Sequence, residues 1–199
     1  NENKFIKLFK MVKKKTCIFI SGKGSNLKNL IIKSRDVNFP IKICLIISNK
    51  KKAFGISYAK KYKIPYIYIN TNYRLYDNLI LLYLKKYKIS FICLAGYMKI
   101  ISNNLIKNYQ KKIINIHPSL LPKFKGLNTF SRMIKNKETK AGCTVHYVNK
   151  KLDSGNIIIQ KSFFLDVKDD EKILKKKTQK LEHLAFPEAI IKIFRNSSF

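Results

Sequence analysis

The chain has 199 residues, 46% of them hydrophobic and 12% aromatic, and carries a formal charge of +31. That length suits one domain, and the apolar content excludes a disordered chain. The charge draws polyanions in general, yet all 42 basic residues except Arg35, Arg74, Arg132 and Arg195 are lysines, spread along the whole chain among Ile and Asn. Readers of phosphates and base edges favour the planar guanidinium fork, so the pattern describes a lysine-coated surface rather than a specific nucleic-acid site.

In chain order, residues 1–10 form a basic leader and Met11 reads as a natural start. They lack the sustained apolar run and small-residue cleavage site of a signal peptide. The expected organisation is therefore a leader over 1–15, partly disordered, followed by a single domain over 16–199. The apolar, β-branched runs 17–21, 42–48, 65–69, 90–95 and 113–116 read as strands buried on both faces. Between them, 26–34, 53–62, 71–87 and 100–110 carry helical spacing, with Leu75, Leu79, Leu82 and Tyr83 on one stripe. A further helix is expected over 127–136, strands over 142–148 and 157–164, and a last helix over 169–195 interrupted near Pro187.

Strand alternating with helix implies an α/β fold: a doubly wound, mostly parallel, Rossmann-like sheet of about seven strands with helices on both faces. Cys17, Cys44, Cys93 and Cys143 lie in apolar runs without a CxxC pair, which fits free thiols in a reducing, cytoplasmic setting. No stretch has the length of a membrane span.

Ligands of such sheets bind past the carboxyl ends of the strands, where strand order reverses. Four segments there carry chemistry. Ser21-Gly22-Lys23-Gly24-Ser25-Asn26 joins a strand to a helix, where glycines and free N–H groups can receive a monophosphate. Leu27 in place of a third glycine excludes the dinucleotide fingerprint, and no Gly-Lys-Ser/Thr follows to make a P-loop. The plainer explanation is an ordinary joint capped by Ser25 or Asn26. Leu94 through Ile101 surround Gly96 with apolar residues, suited to a pterin-like ring over backbone amides or simply to a buried joint.

The third segment is Asn115-Ile116-His117-Pro118. Asn115 and His117 are two apart on a strand and share one face, where an amide and an imidazole are costly without partners or a task. A lone strand His is usually a satisfied core residue; the pairing with Asn115 at a strand end favours catalysis. In the fourth, Asp153 follows Lys151-Leu152 and precedes Ser154-Gly155. It is either a turn former or a carboxylate that keeps an imidazole charged and oriented. Cys143 and His146 are not spaced for a metal with any second pair, and no metal is assigned.

SGKGSN, LAGYMKIIS, NIHPSLLPKFKGL, GCTVHYV and LDSG, in this order and at these separations, resemble the phosphoribosylglycinamide formyltransferase family from about Thr16 to Ile190. The resemblance implies a purine-biosynthetic transferase that moves the formyl group of 10-formyltetrahydrofolate, its co-substrate, onto glycinamide ribonucleotide. It implies Asn115, His117 and Asp153 as catalytic residues. Gly24, Ser25, Asn26 and Glu182 would bind glycinamide ribonucleotide; Arg74, Met98, Lys99, Ile100, Ile101 and Asn115 would bind folate. Arg74 stands one residue out of register, with Tyr73 at the matching place. Lys125 stands where the family often has Pro, and Asn128 and Phe130 where a His is common.

The expected partners are small molecules, with neither membrane nor specific nucleic acid, for a monomer or homodimer. Methionyl-tRNA formyltransferase carries an additional C-terminal domain and formyltetrahydrofolate hydrolase an N-terminal regulatory one, neither of which this sequence shows. A basic nucleic-acid-binding module on an inactive scaffold is the alternative of another class. It predicts DNA or RNA affinity that falls steeply with salt, whereas the enzyme reading predicts no such specific affinity in a filter-binding titration.

Overall fold

The computed structural model describes residues 12–72, 75–166 and 168–195. A seven-stranded sheet is built from β1 (Lys14–Ile20), β2 (Ile41–Ser48), β3 (Tyr66–Tyr68), β4 (Phe91–Leu94), β5 (Ile113–His117), β6 (Lys140–Tyr147) and β7 (Ile157–Phe164). Its spatial order is β3-β2-β1-β4-β5-β6-β7. Pairs from β3 to β5 are parallel, while β5–β6 and β6–β7 are antiparallel. The order reverses between β1 and β4, which places the expected ligand crevice past Ile20 and Leu94.

Among the described residues, six helices accompany the sheet: α1 (Ser25–Ser34), α2 (Gly55–Lys61), α3 (Tyr76–Lys86), α4 (Asn103–Asn108), α5 (Thr129–Lys135) and α6 (Glu171–Arg195). Alternation along the strands feeds two cores. In β1, Ile18 and Ile20 pack with Leu27 and Leu30 of α1 and Phe186 and Ala189 of α6. Cys17 and Phe19 point the other way, to Ile80 and Leu84 of α3 and Leu105 of α4. Side chains buried on both faces explain why these strands read as continuous apolar runs. Burial also pushes the Cys143 thiol up to about 12, so it packs as an inert hydrophobe.

Three expectations change. Strand β1 begins at Lys14, so Lys14 and Lys15 belong to the sheet rather than to a leader; the ladder with Ile41 and Lys42 recruits them. Neither Ser25 nor Asn26 caps α1: the cap is Gly24, at φ 73°, with no side-chain cap bond. A Cβ on Gly24 would stand 2.6 Å from the Gly55 Cα, so this joint needs glycine twice over.

The last change concerns Pro187. Helix α6 runs without a break from Glu171 to Arg195 with Pro187 inside it. Proline has no N–H for the carbonyl four residues earlier, that of His183. Asn29 of α1 supplies the missing donor, its Nδ2 lying 2.7 Å from the His183 oxygen. Tertiary contact thus repairs the local defect. We expect Asn29→Ala to lower stability in urea unfolding by about 1 kcal/mol. Adding Pro187→Ala to that variant should restore part of the loss, because residue 187 then has an N–H to give.

Candidate active site

Strand β5 ends in Asn115 and His117 on one face, and β6 lies antiparallel beside it, with Asn115 opposite His146 and His117 opposite Thr144. After β6 the chain turns through Leu152-Asp153-Ser154 back toward β5. Asp153 adopts φ 44°, a left-handed conformation that Asp tolerates in turns. The turn packs tightly on β6: a Cβ on Gly155 would lie 1.6 Å from the Tyr147 carbonyl oxygen. The turn that Asp153 forms is therefore also what aims its carboxylate.

His117 Nδ1 lies 3.4 Å from Asp153 Oδ2, and both side chains are under a tenth exposed. The same oxygen accepts from the Gly126 N–H at 2.9 Å. His117 Nε2 donates to the Phe124 carbonyl at 2.9 Å. Both ring nitrogens thus face acceptors, the arrangement that satisfies the two donors of an imidazolium. His146 lies on the other side of the carboxylate, its Nε2 3.7 Å from Asp153 Oδ1 and 3.2 Å from Asn115 Nδ2. Burial lowers the affinity of His146 for a second proton; the Tyr147 carbonyl and Asp153 oppose this only in part, and His117 and Lys125 add to it.

The segment from Phe124 to Asn128 closes over this cluster. Phe124, Gly126 and Asn128 all take positive φ, and Arg132 ties the segment down through the Lys125 and Leu127 carbonyls at 2.7 and 3.2 Å. Lys125 Nζ donates to Ser154 Oγ at 2.6 Å, joining the segment to the Asp153 turn. Beneath it, Thr144 Oγ1 donates to the Ser119 carbonyl at 2.6 Å and accepts from the Leu121 N–H at 3.1 Å, stitching the SLLP turn to β6.

The second half of the site is the loop before α1. Gln179 Nε2 of α6 donates to Ser25 Oγ at 2.8 Å, and Asn26 Nδ2 donates to Glu182 Oε2 at 2.8 Å. Gly24, Ser25, Asn26 and Glu182 therefore form one cluster across the α1–α6 contact. Burial raises the Glu182 carboxyl above its ordinary value, with Asn26 and Lys175 pulling against it. Next to this loop, a groove of about 630 Å³ is lined by Gly22, Lys23, Lys50, Lys51, Lys52 and Phe54.

Ser21 ties this loop to the segments that follow β2 and β4. Its hydroxyl donates to Asn49 Oδ1 at 2.6 Å and accepts from the Met98 N–H at 2.7 Å. In the segment after β4, Met98 and Ile100 are exposed by 65% and 69%, and Lys99 is exposed as well. Ile101 turns its side chain into the core beside Leu105, so only its backbone is available to a ligand. Arg74 lies outside the described residues. Among the described residues, no group of His, Cys, Asp or Glu side chains is arranged to hold a metal ion, and no helix is long and apolar enough to cross a membrane.

The structure brings Asn115, His117 and Asp153 together, and it adds His146, Phe124 and Gln179, which the sequence reading did not single out. His146 had a usable signal as an imidazole within an apolar strand-like run. The Phe124 carbonyl had none, since backbone groups carry no residue signature.

A family model described as formyl transferase matches residues 14–190. Over 181 residues the chain is 37% identical to the phosphoribosylglycinamide formyltransferase of Haemophilus influenzae, a match spanning 89% of this chain and 85% of that one. The chain belongs to the phosphoribosylglycinamide formyltransferase family. It is also 40% identical over 184 residues to the trifunctional purine biosynthetic protein adenosine-3 of Drosophila pseudoobscura, covering 89% of this chain but 14% of that much longer protein. The crystal structure of phosphoribosylglycinamide formyltransferase from Bacillus halodurans superposes with a TM-score of 0.88 at 32% identity, over 92% of this chain and 96% of that one. The seven-stranded α/β architecture is therefore that of the family.

The raised carboxyl of Glu182 carries a measurable consequence. A folded state that holds this proton more tightly than the unfolded chain gains stability below the ordinary glutamate value and loses it as pH rises through the raised one. Gln at this position keeps an acceptor for Asn26 without a charge. Glu182→Gln should therefore melt above the parent protein near about pH 8, and the gap should close toward about pH 4. A gap that stays constant across that range in calorimetry would exclude Glu182 as its source.

Proposed function

We propose that this protein transfers the formyl group of 10-formyltetrahydrofolate to the amine of N1-(5-phosphoribosyl)glycinamide, in the cytoplasmic de novo route to purines. The observation that carries this reading is the buried His117–Asp153 pair, 3.4 Å apart, with the Asn115 amide on the same strand face. Acyl transfer from one nitrogen to another needs a donor to the developing oxyanion and a group that moves one proton. The cluster contains both.

In this mechanism the substrate amine attacks the formyl carbon, forming a C–N bond while the carbonyl electrons move onto oxygen. Asn115 Nδ2 donates to that oxygen, and His117 Nε2 does so by exchanging the Phe124 carbonyl for it, while the Asp153 carboxylate at Nδ1 supports the positive charge on the ring. Collapse of the tetrahedral intermediate breaks the bond to N10 of the folate. His117, directly or through a water, carries a proton from the attacking nitrogen to the departing one. No net oxidation or reduction occurs.

Substrate holding follows the two halves of the site. The α1 N-terminus, with Gly24, Ser25 and Asn26, receives the phosphate through backbone N–H groups. Glu182, pre-oriented by Asn26, accepts from the sugar hydroxyls. Met98, Lys99, Ile100 and the Ile101 backbone line the folate side, and Ser21 ties that side to the loop before α1. Arg74 is kept as a further folate contact, and small molecules are the only partners this chemistry requires.

Purified protein given 10-formyltetrahydrofolate should release tetrahydrofolate only when glycinamide ribonucleotide is added. Release with water alone would indicate a hydrolase, and release with charged initiator tRNA the tRNA enzyme. Asp153→Asn, which preserves the turn, should lower kcat by about a hundredfold or more with a much smaller change in KM. Unchanged turnover in that variant would remove Asp153 from the mechanism.

A further inference from the structure

The mechanism above uses Asn115 as a donor but says nothing of what sets the rotation of its amide. An amide on a strand end presents two N–H donors and an acceptor on opposite edges, and the chemistry needs one particular edge. His146 is placed to decide this. It stands directly across the β5–β6 ladder from Asn115 and is 2% exposed. Its Nδ1 lies 2.8 Å from the Tyr147 carbonyl oxygen, which can only accept, so Nδ1 carries a hydrogen. In the neutral ring the lone pair is then on Nε2, and Nε2 is the atom 3.2 Å from Asn115 Nδ2.

We propose that His146 is a positioning residue for formyl transfer: a neutral ring, protonated on Nδ1, whose Nε2 accepts one Asn115 N–H and so holds the second for the oxyanion. The proposal rests on the function inferred above for its catalytic meaning, but not for its tautomer. The charged and titratable groups around the ring are Asp153, whose Oδ1 is 3.7 Å from Nε2, together with His117 and Lys125. A second proton on His146 would set Nε2–H against the Asn115 NH2 and turn the amide over, offering the site an acceptor where a donor is needed. Burial opposes that proton, and the Lys125 ammonium and His117 oppose it further. The Tyr147 carbonyl is in turn held by the Gly155 backbone packed against it and by the neighbouring Tyr147 N–H bond to the Asn156 carbonyl at 3.0 Å. The Asp153 turn therefore fixes both imidazoles, one through its carboxylate and one through its backbone.

Long-range ¹H–¹⁵N NMR of the unliganded protein at neutral pH tests the tautomer without reference to activity. Protonated Nδ1 and unprotonated Nε2 on His146 are expected; the opposite tautomer or an imidazolium overturns the proposal, whatever the substrate proves to be. Kinetics test the role. His146→Phe keeps a ring without the acceptor and should lower kcat about tenfold or more, with KM for either substrate within about twofold. His146→Gln, whose Oε1 can take the place of Nε2, should recover most of that loss. Placed on Asn115→Ala, His146→Phe should cost less than about a further twofold, because its route to the reaction is already gone. Equal losses in the Phe and Gln variants, or losses that multiply in the double variant, overturn the positioning role. Absence of transfer to glycinamide ribonucleotide by the parent protein would instead overturn the proposed function and leave the NMR result standing.

Discussion

A carboxylate that has left water must find donors, and in this fold Asp153 finds them on two separate segments. Oδ2 meets the Gly126 N–H and His117 Nδ1, while Oδ1 lies toward His146 Nε2. An isolated buried carboxylate would cost several kcal/mol, so the turn that carries it, the strand end at His117 and the 124–128 segment are held in mutual register. Removing any one of them leaves the others with an unmatched polar group. Phe124, Gly126, Asn128 and Asp153 all hold positive φ at this meeting point, as expected where surrounding contacts over-determine the backbone.

The antiparallel end of the sheet makes this convergence possible. Parallel strands bring like ends together, which collects loops such as Ser21–Asn26 and Gly96–Ile101 along one crevice. Reversal between β5 and β6 instead sets Asn115 and His146 side by side as a cross-strand pair. The β6–β7 connection leaves the sheet beside Ile113 and Ile114 and reaches back across its face to bring Asp153 to His117. Ser21 then ties the parallel half of the crevice to the loop after β4 through Asn49 and Met98.

Helix α6 holds polar groups at an electrostatic cost. It places Gln179 and Glu182 against the phosphate-type loop, and Glu182 sits where burial disfavours its charge. Five residues later Pro187 removes a helical donor that Asn29 replaces from α1. The same α1–α6 contact thus repairs the helix and assembles the polar cluster around Ser25 and Asn26. The lysine excess has a separate explanation: lysines cover the exterior, and none is among the buried side chains of the described residues.

Fold class was legible in the sequence because burial on both faces writes itself as β-branched runs separated by amphipathic helices, and β1 through β7 follow those runs closely. Asn115 and His117 were legible for a related reason, since polar residues two apart in an apolar strand stand out against their neighbours. Helix α6 was misread because Pro187 is judged locally, while its missing donor is replaced by Asn29, 158 positions earlier in the chain. The capping of α1 was misread likewise, because Ser25 and Asn26 are claimed by Gln179 and Glu182. By itself the sequence determined which elements form and which strand ends carry polar side chains, since periodicity and backbone preference act over a few residues. Only the tertiary structure decided which polar groups meet, that Asp153 stands between two imidazoles, and which tautomer His146 is asked to hold. Those facts depend on strand order and on carbonyls such as Phe124 and Tyr147, which no side-chain pattern records.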